Sequence, residues 1–171
     1  MHDARDLDRL LILGLDGATW TVLDPFRQRG FLPNLDALLK RSAHGTLRST
    51  IPPVTSAAWT TMMTGCRPGR HGVFDHRYFD GGTGRMRVNN ASRVRVPTFW
   101  HTLSGLGRPV ISLNLPVTYP PLRVKGIVVS GIDAPRRNEN AEETCNSGNI
   151  QSYVPSSSQL RVSRLRLTRT S

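Results

Sequence analysis

The sequence predicts an α/β fold in which a central, mostly parallel sheet is flanked by helices. Three apolar runs of strand length, residues 10–15, 109–113 and 126–130, are separated by segments of helical pattern. Continuous apolar runs are typical of strands that a parallel sheet buries on both faces. Strands that alternate with helices are typical of layered α/β domains. We therefore expect the three runs to be neighbouring strands of one sheet.

The first of these runs ends in Asp16 and Gly17. Open α/β sheets place their ligands at the carboxyl ends of the strands. A carboxylate there is either a turn former with the glycine or a ligand for a divalent metal.

Two helices are predicted next, one over residues 19–29 from a threonine cap and one over residues 32–40. A short strand is predicted over residues 45–49.

The centre of the chain is a predicted strand-to-helix turn at Thr55. Two consecutive prolines hold the preceding residues extended. Thr55 is the expected N-cap of a helix over residues 56–64, which Gly65 ends. Ala58 and Met62 are expected on its buried side, with Trp59 and Met63 as further candidates. Free amides at a helix N-terminus favour an anion or an alkoxide. Thr55 is therefore either a simple cap or a nucleophile.

Downstream, a proline-glycine loop over residues 67–70 precedes His71 and an extended segment over residues 73–78. A last helix is predicted to start within residues 96–103, with Pro97 near its first turn, and to end around Gly105 and Gly107.

The amino-acid composition limits the possible binding partners and the cellular compartment of the protein. The net charge is +11, and Lys40 and Lys125 are the only lysines, so arginines carry the charge. The arginines form no basic run and no stripe with aromatic residues, so there is no clear nucleic-acid signal, whereas a small anionic substrate suits this charge. Two cysteines are too few for a disulfide framework. Without a membrane span or a basic leader, a cytoplasmic location is expected.

The composition changes near Pro135. All three glutamates and four of the eight asparagines follow that residue, and no histidine does. No hydrophobic period is sustained there. We expect a boundary at residue 135, with residues 136–171 as an irregular tail that is either out of frame or disordered.

Four motifs in order carry a family resemblance. They read Leu-Gly-Leu-Asp-Gly-Ala-Thr-Trp, Pro-Val-Thr-Ser-Ala-Ala-Trp-Thr-Thr-Met-Met-Thr-Gly, Pro-Gly-Arg-His-Gly-Val-Phe-Asp and Leu-Asn-Leu-Pro-Val-Thr-Tyr-Pro-Pro, at residues 13–20, 53–65, 68–75 and 113–121. Over about residues 10–135 the chain resembles the alkaline phosphatase superfamily, in the branch of type I phosphodiesterase/nucleotide pyrophosphatase-like proteins. The resemblance implies that residues 1–135 are the N-terminal part of an alkaline phosphatase-like catalytic domain with a layered sandwich fold. It also implies metal-dependent hydrolysis of a small phosphoester.

The resemblance also implies roles for two residues. Asp16 matches an aspartate that binds one of two catalytic divalent metals, usually zinc, with manganese as an alternative. Thr55 matches the nucleophile that coordinates the same metal. The chemistry agrees, because a neutral threonine hydroxyl is a poor nucleophile until a metal and a helix N-terminus stabilise its alkoxide.

Three further residues are weighed by the same comparison. Cys66 begins a Cys-x-Pro-x-Arg pattern that resembles the sulfatase formylglycine motif. In sulfatases the nucleophile comes before a Thr-Gly pair, whereas Cys66 comes after such a pair. We therefore interpret Cys66 as a loop cysteine. His71 is assigned to packing or loop hydrogen bonding. His76 stands where nucleotide pyrophosphatases carry an asparagine, which leaves nucleotide specificity open.

Nothing after Pro135 supplies the remaining metal ligands of the family. These ligands are a second Asp with a His four residues later, an Asp-His pair and a final His. Asp133 is a poor candidate for any of them, because its motif simply follows a strand. We therefore expect a truncated or frame-shifted chain that is inactive by itself. The alternatives are a non-catalytic fragment or binding protein for anionic ligands, and a small relative that completes its site with another chain.

Overall fold

The structure, a computed structural model, describes residues 9–131 and the backbone of residues 145–147. The chain divides into two compact units, Met1–Arg48 and Ser49–Ser171. Helices and strands are mixed along the described residues, which confirms an α/β domain. The sheets have two and three strands, so the layered sandwich stays a prediction. The proposed division at residue 135 stays a prediction as well, since the tail lies outside the described residues apart from three backbone positions.

The first unit contains two short helices, α1 (Trp20–Gln28) and α2 (Pro33–Leu39). Both were predicted, and Thr19 occupies the N-cap position of α1 as expected. Arg27 joins the helices, since its Nη1 lies 2.6 Å from Asp24 Oδ1 and its Nε lies 2.7 Å from Asp36 Oδ1. A guanidinium can hold two carboxylates in this way because its donors are fixed in a planar fork.

The prediction of a buried strand over residues 10–15 is wrong. This segment forms no strand, and its large apolar side chains are exposed, from 52% for Ile12 to 88% for Leu11. A strand needs a neighbour to take its backbone hydrogen bonds, and the first unit contains no strand between residues 9 and 48. The strand predicted over residues 45–49 is wrong for the same reason.

The second unit holds the remaining elements. In chain order they are α3 (Thr55–Thr64), α4 (Pro68–His71), β1 (Arg77–Asp80), β2 (Arg85–Val88), a 3₁₀ helix (Ala91–Arg93), α5 (Phe99–Gly105), β3 (Val110–Leu115), β4 (Gly126–Ser130) and β5 (Cys145–Ser147). Strands β1 and β2 form an antiparallel hairpin. Strands β3 and β4 pair in parallel and β5 joins β4 antiparallel. The prediction that the second and third apolar runs are neighbouring strands is confirmed.

Five buried side chains form the core of the second unit: Met63, Val73, Trp100, Val110 and Val117. They come from α3, the loop after α4, α5, β3 and the loop after β3. Phe99 packs edge-on against Trp100, with ring centroids 5.0 Å apart, a favoured geometry for aromatic pairs. None of the described helices has both the length and the apolar character needed to cross a membrane.

Helix α3 begins one residue earlier than predicted. Val54 occupies the N-cap position and Thr55 is the first helical residue, so the prediction of Thr55 as the cap is wrong. The helix ends as predicted, at Gly65 in the left-handed conformation with φ of 64°.

The buried face of α3 also differs from the prediction. The buried residues are Ser56, Ala57, Thr60 and Met63, so the candidate Met63 is confirmed. Ala58 and Trp59 are half-buried, and Met62 is 38% exposed. The buried positions follow helical spacing, but two of them carry hydroxyl groups, which side-chain hydrophobicity alone assigns to the surface.

Helix α5 begins at Phe99, within the range predicted for its start, and Pro97 precedes it. Thr98 is its N-cap and forms a reciprocal capping box with His101. Histidine stands here in the place of the glutamate or glutamine that usually closes such a box, which is why the sequence pattern did not reveal this cap.

Candidate active site

Thr55 lies at the start of α3, where the chain passes from extended to helical backbone. The first backbone hydrogen bond of the helix runs from the Ala58 N–H to the Val54 carbonyl, at 2.9 Å. The amides of Thr55, Ser56 and Ala57 therefore precede the intrahelical ladder, at the positive end of the helix dipole. This position favours negative charge on a hydroxyl oxygen or on a bound anion.

The next residue, Ser56, contacts a histidine. Its side chain is 1% exposed, and its Oγ lies 2.6 Å from His76 Nδ1. A hydrogen bond to one ring nitrogen orients the whole imidazole ring, because the ring is rigid. No sequence signal predicts this pair, since twenty residues separate its members and only the fold brings them together.

The backbone of His76 is fixed on both sides. Its N–H donates to Asp75 Oδ1 at 2.6 Å, and its carbonyl accepts from the Asn89 N–H at 2.8 Å. The Asn89 side chain, which is 3% exposed, donates through Nδ2 to the Asp75 carbonyl at 2.7 Å. His76 is thus held beside the first turn of α3 by its own ring and by its main chain.

His71 is buried and serves the fold, as the sequence predicted. Its Nδ1 accepts from the Val73 N–H at 3.1 Å, and its Nε2 lies 3.0 Å from Thr61 Oγ1. An amide can only donate, so in the neutral ring the proton is on Nε2 and Thr61 accepts it. Burial lowers the pKa of His71 below its ordinary value of 6.5, since desolvation disfavours the charged ring.

Asp16 lies in the first unit, at an exposed turn with Gly17, whose φ is 69°. The Gly17 carbonyl accepts from the Thr19 N–H at 2.9 Å, just ahead of α1. This geometry is that of a turn former, one of the two alternatives that the sequence left open. Asp16 and Thr55 belong to different units, so their meeting at one metal ion stays a prediction.

Within residues 9–131, no three side chains of the His, Cys, Asp or Glu type come together as a metal site. Cys66 is partly buried and follows α3 in a loop, in agreement with its interpretation as a loop cysteine. Zinc in proteins usually has three or four protein ligands. The described donors are therefore too few for the two-metal site that the resemblance implies.

Comparison with known families identifies the family of this chain. A family model for type I phosphodiesterase / nucleotide pyrophosphatase matches residues 10–164. The chain belongs to this family. The match continues past Pro135, where the resemblance read from motifs ends, and so covers most of the tail of this phosphodiesterase-family chain.

A curated relative agrees with the family. An uncharacterized pyrophosphatase/phosphodiesterase of Schizosaccharomyces pombe is 33% identical over 93 residues, which are 53% of this chain and 18% of the relative. The phosphodiesterase-family chain thus spans under a fifth of the length of the curated protein it matches. No solved structure matches it.

Proposed function

We propose that this chain carries the nucleophile segment of a phosphoester hydrolase, with Thr55 as the nucleophile. The observation that supports the proposal best is the position of Thr55 as first residue of α3, in a family of phosphodiesterases and pyrophosphatases. Thr55 Oγ1 gives its proton to water and forms a bond to phosphorus, while the bond from phosphorus to the leaving oxygen breaks. The leaving alcohol or phenol departs with that electron pair and takes a proton from water. Water then hydrolyses the phosphothreonine.

The surroundings of Thr55 suit this step. The first turn of α3 stabilises negative charge on the attacking oxygen and on the phosphoryl group. The hydrogen bond with Ser56 holds the imidazole ring of His76 beside this turn. Because His76 replaces an asparagine of the nucleotide pyrophosphatases, the substrate class that we propose is a small phosphoester, with no preference for a nucleotide.

The proposal assigns Asp16 as one ligand of a divalent metal, zinc or manganese, in the complete family member. The family is generally metal-dependent, but the donors within the described residues do not complete such a site. One carboxylate and one hydroxyl leave most coordination positions to water. We therefore propose that this chain alone binds metal weakly at most and has little or no turnover.

Truncation or a frame change is part of the same proposal. The family match as far as residue 164 counts against a frame change near residue 135. The coding DNA decides: another reading frame after codon 135 that restores an Asp-x-x-x-His and an Asp-His pair would support the frame change. Absence of these motifs from every frame would contradict it.

The test of Thr55 uses a reagent that needs no help at the leaving oxygen. 2,4-Dinitrophenyl phosphate has a very good leaving group, so a slow single phosphorylation is measurable where turnover is not. We expect mass spectrometry to find a phosphorylated peptide containing Thr55, absent in Thr55→Ala and present in the control Thr102→Ala, an exposed threonine of α5. A wild-type protein without phosphate on Thr55 would refute the nucleophile.

A second candidate is a binding protein for anionic ligands that lacks turnover. The net charge of +11 favours it. It predicts saturable binding of phosphate or p-nitrophenyl phosphate, weakened by salt, with no adduct on Thr55 from any ester. Binding and adduct formation are measured on the same samples, so the two candidates give different results.

A further inference from the structure

A cavity of about 360 Å³ lies within the second unit. It is bounded by Met63 of α3, by the 3₁₀ helix and the loop that leads to α5, by the first turn of α5, and by residues 117–122 after β3. Its volume is in the range of small-molecule sites, which begin at about 300 Å³. Ligand pockets are mostly apolar with a few polar groups, and Met63, Val94, Val117 and Leu122 line this cavity.

The polar residues that line the cavity are Ser92, Arg95, Thr98, Trp100, His101 and Thr118. Trp100 is 1% exposed, and its Nε1 is buried without a hydrogen-bond partner among the described residues. A buried indole N–H usually has a partner. His101 Nδ1 accepts from the Thr98 N–H at 3.2 Å, so the neutral ring carries its proton on Nε2, as a second donor.

Arg95 supplies a positive charge. It lines the cavity, and it forms no ion pair with a carboxylate in the part of the chain that the structure describes. Its side chain lies over Gly72, where a Cβ would come within 2.9 Å of its Nε. Among residues 9–131, no acidic residue lines the cavity. One cation and no acid favour a ligand with a single negative charge.

One wall of the cavity is strained. Val117 is 2% exposed and has φ of 61°, a conformation that a β-branched residue rarely adopts. Thr118 secures this loop, because its Oγ1 donates to the Leu115 carbonyl at 2.5 Å and accepts from the Gly131 N–H at 3.0 Å. Strained residues persist where neighbours over-determine them, and they cluster at ligand sites.

We propose that this cavity binds a small monocarboxylate with an apolar body, such as an aryl carboxylic acid. The carboxylate pairs with Arg95, and the apolar body packs on Met63 and Val117. A phosphate dianion suits the site less well, because it needs more charged donors than one guanidinium. The proposal does not depend on hydrolysis at Thr55 and goes beyond the proposed function.

The test follows the indole N–H signal of Trp100 by NMR during titration with 1-naphthoate. Its signal is assigned by its loss in Trp100→Phe, and Trp20 in the first unit is the internal reference. We expect a saturable shift of the Trp100 signal, no shift for Trp20, and affinity at least tenfold lower for the neutral analogue 1-naphthamide. An unchanged Trp100 signal, or equal affinity for the acid and the amide, would overturn the proposal.

Two variants test the cation. Arg95→Gln should weaken 1-naphthoate binding at least tenfold, and Arg95→Lys should restore part of it. Arg85→Gln, on exposed β2 and away from the cavity lining, is the matched control and should bind as the wild type does. Equal binding by Arg95→Gln and wild type contradicts the assignment. If Arg95→Gln does not fold, the comparison of acid and amide on the unaltered protein decides.

Discussion

At the residue scale, His71 couples the stability of the second unit to pH. Its pKa is lowered by burial from an ordinary value of 6.5. Between the lowered pKa and 6.5 the unfolded chain binds more protons than the folded chain. The contribution of His71 to the free energy of unfolding is therefore fully present above about pH 6.5, and it is lost as the pH falls below that value.

We expect the urea midpoint of the protein to fall between pH 7.5 and pH 5.5, and His71→Gln to be less stable at pH 7.5 but less sensitive to pH. Loss of the two ring hydrogen bonds should cost about 1–3 kcal/mol. Asp80 does not interfere, because its pKa is lowered from 3.8, mainly by the hydrogen bond from Thr83, so it titrates well below this window. His44→Gln, exposed in the first unit, is the control, and an identical pH slope in His71→Gln and wild type would contradict the prediction.

At the scale of the element, the C-terminal end of α3 depends on the backbone freedom of glycine. Gly65 has φ of 64°, and a Cβ there would meet no atom within 4 Å. Any cost of Gly65→Ala therefore comes from the backbone conformation and not from a clash, and we expect about 1 kcal/mol of destabilisation. Gly69→Ala in α4 is the matched control, since that position has equal space and no positive φ. It should be neutral or slightly stabilising, and equal losses in both variants by urea unfolding would contradict the conformational explanation.

Much of this element pattern is predictable from sequence. The helices α1, α2 and α3 and the parallel pair β3–β4 follow from local signals: caps, apolar periodicity and glycine. The hairpin β1–β2 was missed, although the sequence Gly-Gly-Thr-Gly between its strands is a turn signal. The Ser56–His76 bond and the cavity at Trp100 were not predictable, because each joins residues that only the tertiary fold brings together.

At the scale of the whole molecule, the number of metal donors sets the expected chemistry. We expect zinc competition assays with a chromogenic chelator to find no tight site and no two-zinc stoichiometry, since residues 9–131 hold no cluster of three potential ligands. Any weak binding should fall in Asp16→Asn and persist in the control Asp24→Asn, whose carboxylate contacts Arg27. Two zinc ions bound tightly by the wild-type chain would contradict both this expectation and the proposed inactivity.

The exposed apolar segment at residues 10–15 bears on how this protein behaves in a concentrated solution. Its leucines and its isoleucine are strongly hydrophobic and exposed, the segment carries no charge, and it forms no strand. Short segments of this kind are templates for intermolecular cross-β assembly. The net charge of +11 opposes that assembly by repulsion between molecules. Because salt screens this repulsion, the colloidal stability of the protein should decrease as ionic strength rises, and storage in dilute buffer should preserve it best.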